Sequence, residues 1–435
     1  MNRPTPALSS VRFLLRPLAL ALLLGATVGG AAAQTAAPAA AAPAASAASG
    51  PTLRADVAKP LVAAQEAVRA GNYQEALARV AEAEAIPALT PYERYIVLRL
   101  KAPAALGLGG DQPGLLAIFE QLLASPLLPA SEKPPFVETA IKLSLNQKQY
   151  EKAGALMKAY LADGGSNAEI ARLYPQVLAL LGDHAGVIAR LQPLVAADAA
   201  AKRTTPEVTL RLLAGSQLEQ KDSTGYLATL ETLASTTGKP DYWGELITRT
   251  ARRSGFADER LMLDVYRLRQ AVGVALHADE VGDMAFRANQ AGLPAEAQTL
   301  LDAGYASGLL GKGANAAADQ KLREAATKAA HQDRASAADS EAAAMKAKDG
   351  HAAYGLGLAL SATGAHDRAL ALMNHGLSKG GLRRPDDAQL HLGVAQWRAG
   401  KIDEAKASFA AVKGSDGAAD LARLWTVYLN SPARK

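Results

Sequence analysis

Cysteine is absent from all 435 residues. No disulfide, thiolate metal ligand, thiol nucleophile or lipid-bearing N-terminal cysteine is therefore available to the chain. Aromatic residues make up only 5% of it, and no stretch of useful length alternates apolar and polar residues as a half-buried strand would. Beyond the first 33 residues, no uncharged apolar run is long enough to span a bilayer. Motifs for bond chemistry are missing too. GKGANA (Gly311 to Ala316) has no strand before it, and GGSNA (Gly164 to Ala168) lies between helices rather than after a strand, so neither matches the setting of a nucleotide loop or a nucleophile elbow. The seven histidines include no His-Glu-x-x-His and no pair at i, i+4, so no metal or other cofactor is expected. These absences point away from an enzyme.

What is present begins with an export signal. Arg3, Arg12 and Arg16 precede the apolar run Leu18 to Ala33, and Ala31 and Ala33 form a small-x-small site. Cleavage is expected between Ala33 and Gln34, which would deliver residues 34–435 to the periplasm or the medium of a Gram-negative cell. Loss of those arginines lowers the formal charge from +5 to +2, so nothing global favours nucleic acid. Residues 34–53 are rich in alanine, proline and serine and read as a disordered tether.

From Arg54 the chain repeats itself. GNYQEA (Gly71 to Ala76), KQYEKA (Lys148 to Ala153), GLPAEA (Gly292 to Ala297), GAHDRA (Gly364 to Ala369) and GKIDEA (Gly400 to Ala405) share one pattern: a helix-ending turn, a residue plugging it, then a small residue one turn into the next helix. The template also places anchors at Leu115, Val187, Tyr226, Arg260 and Ala335, giving a period of 34 to 39 residues. Such a period is the mark of stacked helix hairpins. Glycine inside a helix costs about 1 kcal/mol against alanine. Gly393 is expected to offset this by sitting where two helices cross, while Gly400 takes the left-handed turn between them.

Leu392–Gly393, Gly400, Ile402, Ala405 and Phe409, with Leu356–Gly357, Gly364, Ala369 and Met373 before them, resemble the tetratricopeptide repeat family. The chain also resembles exported proteobacterial repeat proteins of unassigned function, through SKGGLRRPDDAQLHLG and DGAADLARLW. The resemblance implies an all-α, right-handed superhelical solenoid of antiparallel helix hairpins. The expected layout is an N-terminal array over 54–310, an alanine-rich degenerate repeat or hinge over 311–349, repeats over 350–417, and a capping helix and tail over 418–435. It also implies a non-catalytic scaffold in the cell envelope whose concave groove holds a protein or peptide. The alternative is a glycan-engaging accessory module of an envelope polysaccharide or peptidoglycan machine. In such repeats the inner face of the first helix of each hairpin binds partners. That face would carry Lys142, Arg172, Arg211, Tyr242, Arg249, Arg252 and Arg253, and would suit a partner with an acidic segment. Trp397 is expected under the last helix rather than open to a ligand.

Overall fold

The computed structural model describes residues 52–109 and 114–432. The signal sequence, its cleavage site and nearly all of the tether lie outside the described residues. Within them the fold is all-α: twenty α-helices, one short 3-10 turn and no strand. No described helix is long and apolar enough to cross a membrane. Contacts divide the chain into two compact units, one ending at Asp183 and the other starting at His184. The division falls inside the stretch 54–310 that the repeat pattern reads as one array.

The first unit holds α1 (Ala55–Arg69), α2 (Tyr73–Glu84), α3 (Pro91–Gly107), α4 (Leu115–Ala124), α5 (Lys133–Asn146), α6 (Tyr150–Ala162) and α7 (Ala168–Leu180). Successive helices pack as antiparallel hairpins around Leu61, Leu100, Phe119, Leu122 and Ile141, all essentially free of solvent. At the start of α3 the sequence TPYE forms a reciprocal cap. The Glu93 amide donates to the Thr90 hydroxyl at 3.2 Å, and the Glu93 carboxylate accepts from the Thr90 amide at 2.8 Å.

The second unit runs through α8 (His184–Ala200), α9 (Glu207–Glu219), α10 (Ser223–Thr237), α11 (Pro240–Ala251), α12 (Asp258–Ala271), α13 (Ala278–Gln290) and α14 (Pro294–Ala306). It continues with α15 (Ala316–Lys346), α16 (His351–Ser361), α17 (His366–Lys379), α18 (Pro385–Arg398), α19 (Ile402–Ala411) and α20 (Ala418–Asn430). The stretch 311–349 is mostly taken up by α15, 31 unbroken residues without glycine or proline. With nothing to break it, no turn forms, and the anchor placed at Ala335 is instead an exposed mid-helix residue.

The repeat register is otherwise close, except that the anchor placed at Leu115 opens α4 instead of lying three residues into it. Ala76, Ala153, Ala297, Ala369 and Ala405 each lie three residues into a second helix and are fully buried at the hairpin crossing. Val187 keeps the same offset. Arg260 does not: Leu261, one residue later, is the fully buried anchor of α12. Arg260 instead pairs with Asp387 and Asp416.

Gly393 sits in the α18–α19 crossing, where an added Cβ would lie 2.5 Å from Cε1 of Phe409. Phe409 cannot easily yield, because it is buried and stacked on Trp425 at 5.7 Å between centroids. Gly400, at φ +75°, makes the turn that follows. Gly393→Leu is expected to lower stability by about 1–3 kcal/mol despite its better helix propensity. A lowered urea midpoint would bear this out; an unchanged one would place the side chain in free space.

The second unit is also tied end to end. α20 was expected only to cap the stack, yet it packs on α10 and α12 as well as on α18 and α19. Leu421, Leu424 and Trp425 share one core with Leu230, Trp243, Leu246 and Leu261. Ion pairs join the same elements, Arg253 to Asp420 and Arg423 to Glu231. The Ala257 amide donates to the Asp416 carbonyl at 2.8 Å. A linear array brings each hairpin only against its neighbours; here α10 to α12 meet helices that follow more than 120 residues later.

Candidate functional site

The residues expected on the partner-binding face are all placed. In the first unit Lys142 is half-buried on α5 and Arg172 is exposed on α7. Glu138, on the same helix as Lys142, accepts from the Tyr160 hydroxyl at 2.6 Å and from the Asn167 amide at 2.7 Å.

In the second unit the face centres on Glu207. Its carboxylate accepts from the Tyr242 hydroxyl at 2.7 Å and pairs with Lys239 at 2.7 Å. Those bonds hold Glu207 below the usual carboxylate range, while burial and the bond to Glu207 push the Tyr242 phenol up. Arg211 adds its charge nearby. Arg249 pairs with Glu245 at 2.5 Å and lies over the Tyr226 ring, 4.7 Å from its centroid. The helix ends sooner than the sequence pattern indicated. Arg252 caps α11, Arg253 lies beyond it, and Gly255 turns the chain at φ +86°. Arg253 is consequently drawn to Asp420 of the chain's own last helix. Arg211 and Arg252 are left as exposed cations without an ion pair among the described residues.

A second constellation went unnoticed in the sequence. Arg267 of α12, with its side chain 3% exposed, donates from Nη1 to Asp264 at 2.9 Å and from Nε to Glu296 of α14 at 3.0 Å. Glu296 also accepts from Arg398 of α18 at 2.7 Å, and the His391 ring lies 3.0 Å from the other oxygen of Asp264. Burial alone would raise both carboxyls. The surrounding cations win: Arg267 and Arg398 hold Glu296 at about 2, and His391 with Arg267 holds Asp264 lower still. The signal was in LMLDVYRL (Leu261 to Leu268), where apolar residues cover nearly every face. A charge among them has to be buried.

Beside this network is a cavity of about 630 Å³. Gln270, Thr299, His366, Trp397 and Arg398 line it, with Glu296 at its inner wall. Trp397 is packed under α20 as expected, its ring 4.8 Å from that of Trp425, but part of it faces the cavity. His366 plugs the turn before α17, as Tyr73 and Tyr150 do before α2 and α6. Its Nδ1 is shut off from solvent without a hydrogen-bond partner. Among the described residues no three metal-ligating side chains come together.

No protein-family model matches the chain, and no curated protein matches it. Among solved structures it is similar to the TPR domain of P58(IPK), at 13% identity over 87% of this chain and 99% of that one. The TM-score is 0.21, too low for that likeness to bear on what this chain does.

Proposed function

We propose that this chain is an exported, non-catalytic scaffold of the tetratricopeptide type, which holds a protein or peptide partner in the cell envelope. Export rests on the basic leader, the apolar run and the small residues at Ala31 and Ala33, with the mature chain starting at Gln34. Stacked hairpins suit the role because they leave extended surfaces free of core duties. The observation that carries the reading is Arg211, an exposed cation without an ion pair among the described residues, whose charge acts on the Tyr242–Glu207 cluster, together with Arg252, likewise exposed and without an ion pair among them, at the far end of α11. An acidic segment of the partner would supply the carboxylates they lack. Arg249, paired with Glu245, and Arg253, drawn to Asp420, are already engaged, and Lys142 and Arg172 belong to the first unit.

The test is affinity capture from an envelope extract with the chain beginning at Gln34, comparing Arg211→Glu with Arg252→Glu at low and high salt. Each reversal is expected to weaken capture of the same partner, and salt to weaken it for the wild-type chain. Arg79→Glu is the control, since Arg79 is an exposed residue among Glu75 and Glu82. Arg99 would be a poor control: it is buried and paired with Glu132, so its reversal would damage the fold. Equal behaviour of control and test variants would sink the acidic-partner reading.

A second reading, glycan engagement, is favoured by one observation. Trp397 presents part of its indole to a cavity of mixed polar and apolar lining.

A further inference from the structure

The cavity in the second unit carries balanced charge. Its lining holds one anion, Glu296, and one cation, Arg398, bonded to each other at 2.7 Å, while Arg267 holds Glu296 from behind at 3.0 Å. A ligand carboxylate would have to compete with Glu296 for Arg398. A ligand ammonium would find Glu296 already held by two guanidinium groups. The site therefore disfavours both signs.

It offers donors and acceptors side by side. Gln270 makes no side-chain hydrogen bond among the described residues, which leaves its carbonyl and its amide hydrogens free. The Thr299 hydroxyl donates to the Ala295 carbonyl at 2.9 Å, so its oxygen can still accept. Ser361 likewise donates to Leu358 at 2.7 Å and keeps its lone pairs. Arg398 spends one nitrogen on Glu296 and has donors to spare. His366 lines the same wall; its Nδ1 is shut off from solvent, which leaves Nε2 as the ring nitrogen that can meet a ligand. Hydroxyl groups, each donor and acceptor at once, complement such a mixture better than an ion does. The apolar part of the lining is the Trp397 indole with Leu300 and Ala362. An indole face suits a molecule with a flat C–H surface as well as hydroxyls. At about 630 Å³ the space falls within the ordinary range of small-molecule sites.

We propose that this cavity binds a neutral saccharide of one or two rings, with Trp397 against the apolar ring face and Gln270, Thr299, His366 and Arg398 meeting the hydroxyls. The proposal rests on the glycan reading and leaves the partner-binding reading, which uses other residues, untouched.

The chain supplies its own reporter. Of its three tryptophans, Trp243 and Trp425 are fully buried and only Trp397 borders the cavity. Full-length mature protein would be titrated with glucose, maltose, N-acetylglucosamine and its β-1,4 disaccharide, following tryptophan fluorescence and heat. At least one of these is expected to give a saturable change in both signals. Gln270→Ala and His366→Ala should each weaken it at least tenfold with the helical circular dichroism intact. Acetate, glucuronate and trialanine serve as the anionic and peptide probes. The proposal is overturned if none of the saccharides binds, if a charged or peptide probe binds more tightly than all of them, or if both variants keep wild-type affinity. Loss of partner capture in Arg211→Glu alongside unchanged sugar binding would separate the two readings.

Discussion

Arg267→Met is expected to destabilise the second unit by about 3–5 kcal/mol at neutral pH, one of the two largest losses foreseen for a single substitution in this chain. Methionine fills similar space, so little of the loss comes from packing. The cost arises because Asp264 and Glu296, 3% and 6% exposed at their side chains, would keep their charge without the guanidinium that bridges them. His391 and Arg398 remain, which holds the loss within that range. The pH dependence separates this cause from a packing defect. In the native protein Glu296 titrates at about 2 and Asp264 lower. Depressed carboxylates stabilise the fold above the unfolded-state value near 4 and lose that contribution as pH falls towards the folded value. Without Arg267 both carboxyls should titrate higher in the folded state, so the variant takes up protons that the wild type does not. The stability gap should therefore shrink between pH 7 and pH 4. A gap that stays constant would mean that the charges of Asp264 and Glu296 are not what is lost.

That network shows where the sequence was legible and where it was not. Hairpins and their crossings could be read because the requirement repeats: a small residue three positions into a second helix has no room for anything larger, at Ala76 as at Ala405. The slip from Leu261 to Arg260 occurred where a leucine took the place of the small residue and the turn ran one residue longer, with Gly255 six residues before its buried anchor where Gly71 and Gly400 stand five before theirs. α15 escaped for the opposite reason, since a period can be extrapolated across a segment that contains nothing to make a turn. The pairing of α12 with α18 and α20 depends on contacts more than 120 residues apart, and a local repeat pattern carries no record of them. The cavity follows from that pairing. Gln270, Thr299 and Trp397 belong to different hairpins, and each read alone as an ordinary helical residue. On the proposed groove the residue types were legible, and so was the i, i+4 spacing of Glu245 and Arg249, but the engagement of Arg253 was not, because Asp420 reaches it only once distant helices are placed.

Trp425→Ala tests whether the second unit is held end to end. Trp425 is fully buried, stacks on Phe409 and touches the rings of Trp397 and Tyr428. Its indole N–H has no hydrogen-bond partner, so truncation sacrifices burial and packing rather than a bond. The expected loss is about 3–5 kcal/mol, the usual range for a buried tryptophan cut to alanine. Where that loss is felt is the sharper question. If α20 merely capped the last hairpin, opening would be confined to α18, α19 and α20, and earlier helices would keep their protection. The shared core instead links Trp425 and its neighbours to Leu230, Leu233, Trp243 and Leu261. Amide exchange should therefore quicken in α10, α11 and α12 along with α20, while α1 to α6 of the first unit stay as they were. Faster exchange limited to α18, α19 and α20 would show that the packing of α20 on α10 and α12 adds nothing to their stability.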